Sequence, residues 1–151
     1  MLKIAKFLAI ITIVLLFASC GQQNLQLVKF DLAKSINGLN DYEPAGKTTF
    51  QLGETIYLYT QVKGFTTQKD GDKIFVWPIT TVKVRDAKGK LLMTEDVQKE
   101  MIELKENSDE LMLPAQITLT GAQGPYRVEV VVEDAFTGER LYNDIGIILE
   151  K

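Results

Sequence analysis

The chain has 151 residues, and its 17 lysine and arginine residues against 20 aspartate and glutamate residues give a formal net charge of −3. This acidic balance, with the basic residues scattered along the chain, gives no electrostatic reason to expect nucleic-acid binding. The sequence contains no histidine and one cysteine, which excludes histidine-based catalysis, a histidine-containing zinc site and an internal disulfide.

The N-terminal segment has the composition of an export signal. Lys3 and Lys6 supply a basic start, and residues 7–17 form an apolar run in which Thr12 is the single polar residue. A helix of this length rises only about 17 Å, roughly half of a bilayer's hydrocarbon core, so the run is too short to remain as a membrane-spanning anchor. We therefore predict a signal peptide over residues 1–19 that is removed from the mature protein.

Residues 17–20, Phe-Ala-Ser-Cys, place two small residues before the cysteine. This segment resembles the lipobox of bacterial lipoproteins, in which leucine and two small residues precede a cysteine, although Phe17 stands where leucine is usual. The resemblance implies cleavage before Cys20 and attachment of lipid to that cysteine. An ordinary secretory signal cut after Ser19 is the alternative, but it would leave an unpaired thiol on an exported protein.

Lipid on Cys20 implies firm attachment to a membrane, because each buried acyl CH₂ contributes about 0.8 kcal/mol. Gly21, in place of an aspartate after the cysteine, implies the outer membrane by resemblance to the sorting rule of enteric bacteria, with the domain facing the periplasm. Residues 20–24 then form the lipidated cysteine and a short tether. The tether from Gly21 to Asn24 reaches at most about 14 Å, so residues 25–151 are expected to form one domain close to the bilayer.

From Leu25 onward the dominant pattern is an alternation of apolar and polar residues, which is typical of β-strands. Turns that begin with aspartate and carry glycine, at residues 86–89 and 134–138, join strands into hairpins. A short helix is predicted over residues 96–104, where apolar residues fall at i, i+4 and i+7 (Val97, Met101 and Leu104). The predicted strands lie at residues 28–32, 56–62, 82–84, 111–119, 128–132 and 145–149, with a further one at 73–77.

These elements predict an all-β fold, a single antiparallel β-sandwich of about seven strands over residues 25–151, with one short helix. Residues 119–126 end in Tyr126 and lead into alternating valines. They resemble the E–F corner of immunoglobulin-like sandwiches, where a tyrosine bonds back to the backbone. Residues 50–54 resemble the start of strand B in bacterial immunoglobulin-like and macroglobulin-type domains. The resemblance implies an immunoglobulin-like sandwich and names no activity.

Other groupings of reactive side chains give only weak indications of catalysis or metal binding. Lys34 precedes Ser35, but neighbours on a strand point to opposite faces and do not form a catalytic pair. Asp70 and Asp72 could supply two oxygen ligands to a calcium ion. Calcium takes roughly six to eight oxygen ligands, so a solvated turn is the better interpretation. We expect no enzymatic activity, no cofactor and no metal.

The candidate binding surface consists of four aromatic residues on two predicted strands: Tyr57, Tyr59, Phe75 and Trp77. The two tyrosines have the opposite parity to the apolar residues of their strand, so both faces of this part of a sheet are apolar. If Trp77 fills the core as the strand-C tryptophan of immunoglobulin-type domains, the other rings are either covered or exposed. Residues 45–50 or the 96–104 helix would supply the cover, whereas an exposed platform would bind a partner protein or a sugar ring.

These features predict a membrane-anchored lipoprotein of the cell envelope, a non-catalytic accessory protein that binds another envelope protein. Open sheet edges and the aromatic residues are the surfaces available to such a partner. The alternative is a module that binds a glycan or another small ligand on an aromatic platform. That alternative requires Tyr57, Tyr59 or Trp77 to be exposed to solvent and flanked by polar groups.

Overall fold

The computed structural model describes residues 25–105 and 108–151. The predicted signal peptide, Cys20 and the tether lie outside these residues. Within the described ranges the chain forms 13 β-strands and no helix, and hence no helix able to cross a membrane. In chain order the strands are β1 (Gln26–Gly38), β2 (Asp41–Pro44), β3 (Thr49–Gln51), β4 (Thr55–Lys63), β5 (Gln68–Asp70), β6 (Lys73–Val76), β7 (Pro78–Asp86), β8 (Leu91–Gln98), β9 (Ile102–Leu104), β10 (Glu110–Met112), β11 (Ala115–Thr118), β12 (Gly124–Asp134) and β13 (Glu139–Glu150).

Two five-stranded sheets form the sandwich. In sheet A, β4 pairs with β1 on one side and with β10 and β11 on the other, and β1 also pairs with β2. In sheet B the order is β3-β13-β12-β7-β8, and the β3–β13 pairing is parallel while the others are antiparallel. β1, β4 and β11 thus occupy the positions of strands A, B and E, and β7, β8, β12 and β13 those of C, C′, F and G. The predicted immunoglobulin-like sandwich is confirmed.

The core lies between the two sheets and is built from the alternating apolar residues of the predicted strands. Ile56, Leu58 and Val62 of β4 are fully buried in it. Because side chains alternate across a strand, these residues share the face of β4 that points into the core, which fixes the register of the central strands. The sheet B residues in the same cluster are Val82, Val84, Val128, Val130, Val132, Ile147 and Leu149.

Both predicted hairpin turns are confirmed. The backbone N–H of Gly89 donates to the carbonyl of Asp86 at 2.9 Å, and that of Gly138 donates to the carbonyl of Asp134 at 2.7 Å. Both glycines have positive φ, 79° and 76°, which a residue with a Cβ adopts at a cost. The side chain of each aspartate also accepts a backbone N–H two residues further along. Local hydrogen bonding by aspartate therefore sets the geometry of both turns.

Tyr126 forms the corner that the sequence predicts, because its hydroxyl donates to the carbonyl oxygen of Ala122 at 2.6 Å. Tyr126→Phe removes this hydrogen bond and keeps the ring, so we expect the free energy of unfolding to fall by about 1 kcal/mol. Tyr142→Phe, at a tyrosine that is 68% exposed, is the control and should change it by less than about 0.5 kcal/mol. Equal effects of the two variants in urea denaturation would contradict a stabilising corner.

The helix predicted over residues 96–104 is wrong. β8 continues past Asp96, which lies opposite Thr81 of β7, and Ile102–Leu104 forms β9 opposite β6. A helix this short would be marginal by itself, whereas pairing with β7 and β6 satisfies the backbone and still packs Val97 against the core. Strand pairing therefore prevails over the helical spacing.

The strand predicted at residues 73–77 forms β6, but it does not belong to the sandwich. β6 pairs with β5 and β9 in a small three-stranded sheet, sheet C, and contributes Val76 to the core. Asp70 and Asp72 lie exposed at the β5–β6 turn, as a solvated turn predicts. Trp77 follows β6 and is 37% exposed, so it does not fill the core as a strand-C tryptophan.

Candidate functional site

Tyr59 lies on the outer face of sheet A, yet its exposed fraction is 0%. Tyr42 of β2 stacks on it, with ring centroids 4.1 Å apart and an angle of 14° between the planes. The Tyr59 hydroxyl accepts a hydrogen bond from the Asn40 backbone N–H at 2.9 Å and donates one to Gln61 Oε1 at 3.0 Å. Tyr59 therefore supports the fold, and the prediction of an exposed platform that includes it is wrong.

The β1–β2 hairpin supplies the cover over Tyr59. Its turn contains Asn40, whose φ of 61° is one that asparagine tolerates better than most residues. The hydroxyl of Tyr42 donates to Asp31 Oδ2 at 3.0 Å, and the ammonium group of Lys29 lies 4.7 Å from the Tyr42 ring centroid. The hairpin is thus held against the sheet by stacking, hydrogen bonding and a cation–π contact together.

Tyr57 lies on the same face of β4 as Tyr59 and is half-buried, so part of its ring is accessible. It lines a groove with a volume of about 720 Å³. β8 contributes one part of the lining, and the segment from β10 to β11 and the far end of β1 contribute the rest. The lining residues are Ile36, Asn37, Tyr57, Glu95, Asp96, Val97, Met112, Pro114, Ala115, Gln116 and Thr118.

Two open strand edges border this groove. β8 is the last strand of sheet B, and β10 and β11 pair with β4 alone among the described strands. Backbone groups on an open edge can pair with a strand of another chain, and neighbouring pockets then select its alternate side chains. We call the groove and the adjoining edges of β8 and β11 the edge groove.

The polar groups of the edge groove include an ionised carboxylate and two amides. Lys99 Nζ lies 2.8 Å from Asp96 Oδ2, and Thr81 Oγ1 donates to Asp96 Oδ1 at 2.6 Å. The ammonium group, and to a smaller extent the hydroxyl, lower the pKa of Asp96. Asn37 and Gln116 add amide donors and acceptors. In the described part of the chain, no three acidic or cysteine side chains come together in a way that could hold a metal ion.

The structure does not bring the four predicted aromatic residues together. The two tyrosines lie on sheet A, whereas Phe75 and Trp77 lie on or beside β6 of sheet C, where Phe75 is half-buried. Trp77 Nε1 donates to the carbonyl oxygen of Lys99 at 2.8 Å. Its ring meets Phe136 edge-on, with centroids 5.9 Å apart. Trp77 therefore belongs to a second surface, separate from the edge groove.

Tyr42 and the polar residues of the edge groove are functional candidates that sequence reasoning missed. Residues 38–41, Gly-Leu-Asn-Asp, have turn composition, and this signal could have located the β1–β2 hairpin. No local pattern shows that the hairpin then folds over the outer face of its own sheet. The groove was also hidden, because it joins strands that are distant in the sequence.

No protein-family model matches the sequence, and no curated protein matches it. Among solved structures, the C-terminal domain of Wzt has a TM-score of 0.57 and 11% identity, over 87% of this chain and 76% of that chain. The sporulation control protein Spo0M of Bacillus subtilis has a TM-score of 0.52 and 12% identity, over 85% of this chain and 50% of that chain. The alkylpurine DNA glycosylase AlkC of Pseudomonas fluorescens, bound to DNA containing an abasic site analog, has a TM-score of 0.50 and 13% identity, over 85% of this chain.

This chain spans 31% of the glycosylase and half of the sporulation control protein, so it corresponds to one part of each. Identities of 11% to 13% show a common fold alone. These three proteins differ in kind, and a shared β-sandwich does not select a function among them.

Proposed function

We propose that this chain is a lipid-anchored accessory protein of the cell envelope, without catalytic activity, that binds a partner protein through the edge groove. The lipobox-like segment ending at Cys20 supports the anchor, and Gly21 supports an outer-membrane location facing the periplasm. A sequence without histidine, whose cysteine carries the lipid, lacks the commonest general base and a thiol nucleophile. Tethering raises the effective concentration of a weak binder near its partner.

Two open strand edges beside one groove are the observation that supports partner binding. A segment that pairs with β8 would extend sheet B, and its alternate side chains would enter the groove beside Tyr57. A volume of about 720 Å³ is within the range of protein binding pockets and accommodates several side chains. The partially accessible Tyr57 ring supplies the kind of aromatic anchor that dominates interface energetics.

Replacing Cys20 tests the anchor. Cys20→Ser should abolish labelling by radioactive fatty acid and leave an uncleaved precursor, because lipoprotein signal peptidase acts on the lipidated cysteine. Ser19→Ala is the matched control, since alanine also fits the lipobox pattern, and it should mature normally. A Cys20→Ser protein that matures to the wild-type mass, together with a wild type free of lipid, would overturn the anchor.

Replacing Tyr57 tests the edge groove. In crosslinking on intact membranes, Tyr57→Ala should reduce the yield of a specific adduct about tenfold or more, as expected when an interface anchor is removed. Tyr142→Ala, at a ring that is 68% exposed on sheet B, should leave the yield unchanged. Thermal midpoints of both variants would show that the domain remains folded. Unchanged adducts in both variants would argue against the edge groove as the partner site.

A glycan is the second candidate ligand, and the setting of Tyr57 favours it specifically. Its half-buried ring shares the lining of the groove with the amides of Asn37 and Gln116 and with Asp96, which are suitable partners for sugar hydroxyls. Titration calorimetry with fragments of envelope polysaccharide separates the two candidates. Binding that Tyr57→Ala abolishes, with crosslinking to proteins unaffected, would replace the protein partner by a glycan.

A further inference from the structure

The end of the sandwich at which the described chain begins also carries Trp77. The backbone N–H of Leu25 donates to Glu139 Oε1 at 3.1 Å, at the start of β13. In the turn before β13, the N–H of Ala135 donates to the carbonyl of Trp77 at 2.9 Å, and Phe136 meets the Trp77 ring. The first described residue and the tryptophan are therefore held by the same β12–β13 turn.

Trp77 and Met101 form an exposed apolar surface at this end, which we call the end surface. Trp77 is 37% exposed, and its one polar side-chain atom, Nε1, is already bonded to the carbonyl of Lys99. Met101 is 55% exposed and directly precedes Ile102, which pairs with Val76 of β6. Solvent thus meets a thioether and an aromatic ring whose N–H group is already bonded within the protein.

Charges of both signs lie near the end surface, and two pairs of them form salt bridges, while Glu100 beside Met101 adds a further negative charge. Lys73 lies 2.8 Å from Glu103, and Lys99 lies 2.8 Å from Asp96. A surface of this kind has no net attraction to anionic lipid headgroups. Any contact with a membrane at this end would depend on the apolar side chains and would resist high salt.

We propose that the end surface rests in the interfacial region of the bilayer to which the chain is tethered. The inference depends on the proposed lipid attachment at Cys20, since the tether from Gly21 to Asn24 spans at most about 14 Å before Leu25. Tryptophan is enriched at membrane–water interfaces, and the Trp77 ring could enter the interface without losing a hydrogen bond to water, because its N–H is bonded to the carbonyl of Lys99. The bilayer is therefore the occupant within reach of this end.

Contact at the end surface would orient the whole domain. β7 begins next to Trp77 at Pro78 and ends at Asp86, so the β7–β8 turn lies about 26 Å further from the bilayer. The strands would then extend from the bilayer into the periplasm, and the open edges of β8 and β11 would face the periplasm on the sides of the domain. The Gln98 end of β8 would lie close to the bilayer and its Leu91 end far from it, so a partner would approach the edge groove from the side.

The fluorescence of Trp77 tests this orientation, because the protein contains one tryptophan. The lipidated mature protein is reconstituted into vesicles of phosphatidylethanolamine and phosphatidylglycerol, with and without lipid that carries a nitroxide quencher near the headgroup. We expect roughly twofold or greater quenching and a blue-shifted emission maximum, both persisting at high salt.

The matched control places the reporter at the distal end. In the Trp77→Phe/Leu92→Trp double variant, the new reporter occupies a position that is 49% exposed beside the β7–β8 turn, and it should show no quenching. Equal quenching at both positions, or none at either, would overturn the proposal. Co-sedimentation with the vesicles is measured first: protein that carries no lipid and stays in the supernatant refutes the anchor itself, whereas anchored protein with an unquenched Trp77 refutes the orientation alone.

Discussion

Replacing Tyr59 by alanine is expected to lower the free energy of unfolding of the mature chain by about 3–5 kcal/mol. The ring has 0% exposure and stacks on Tyr42 at 4.1 Å, so truncation leaves a cavity under the β1–β2 hairpin. The backbone N–H of Asn40 also loses its acceptor, and Gln61 loses its donor. Urea denaturation followed by circular dichroism measures the change.

Two controls separate packing from hydrogen bonding at this position. Tyr59→Phe keeps the ring and removes the hydroxyl, and it should cost about 1–2 kcal/mol. Tyr57→Phe, two residues away on a half-buried ring, should cost less than about 1 kcal/mol. A Tyr59→Ala variant of unchanged stability that had lost partner binding would show instead that this ring is an exposed contact.

Replacing Asp134 by alanine is expected to lower the free energy of unfolding by about 3 kcal/mol or more. Its carboxylate has 0% exposure and accepts the backbone N–H groups of Thr66 at 2.8 Å and Phe136 at 3.0 Å. It thereby joins the segment after β4 to the β12–β13 turn. Alanine would leave both N–H groups without an acceptor, and such charge-assisted hydrogen bonds are among the stronger ones.

Asp134→Asn keeps one carboxamide oxygen as an acceptor and should be less destabilising than alanine. Asp144→Ala is the matched control, because Asp144 is exposed and paired with Arg127 at 3.3 Å, a surface contact worth at most about 1 kcal/mol. Trp77 emission gives a local readout, since the carbonyl of Trp77 is bonded within the same turn. Similar effects of Asp134→Ala and Asp144→Ala would show that the buried Asp134 carboxylate does not stabilise the fold through these two hydrogen bonds.

The sandwich could be predicted because the residues that determine it form local, periodic patterns in the sequence. Val128, Val130 and Val132 share one face of β12 and alternate with the charged Arg127, Glu129 and Glu133, with Val131 as the one apolar exception, and such an alternation has one stable arrangement when one face is buried. The two hairpin turns and the Tyr126 corner depend on side chains that bond to backbone within four residues. Such contacts leave a signature in a short stretch of sequence.

The candidate site could not be predicted in the same way, because its contacts join distant segments. The parity of Tyr59 indicated an apolar outer face, but its cover is Tyr42, from a hairpin that the sequence alone did not place there. The spacing of Val97, Met101 and Leu104 fits a helix, yet pairing with β7 and β6 decides the structure of that segment. Tyr57 was identified as a candidate, whereas its polar neighbours in the edge groove were not.

Intact-mass measurement of the mature protein, extracted with detergent from membranes, tests lipid attachment at Cys20 most directly. The expected mass is that of residues 20–151 with a diacylglyceryl group on the cysteine sulfur, with or without a further acyl chain on its amino group. Tandem fragmentation should place the added mass on Cys20. A mature chain that begins at this residue with a free thiol, or a chain that retains residues 1–19, would contradict the anchored domain.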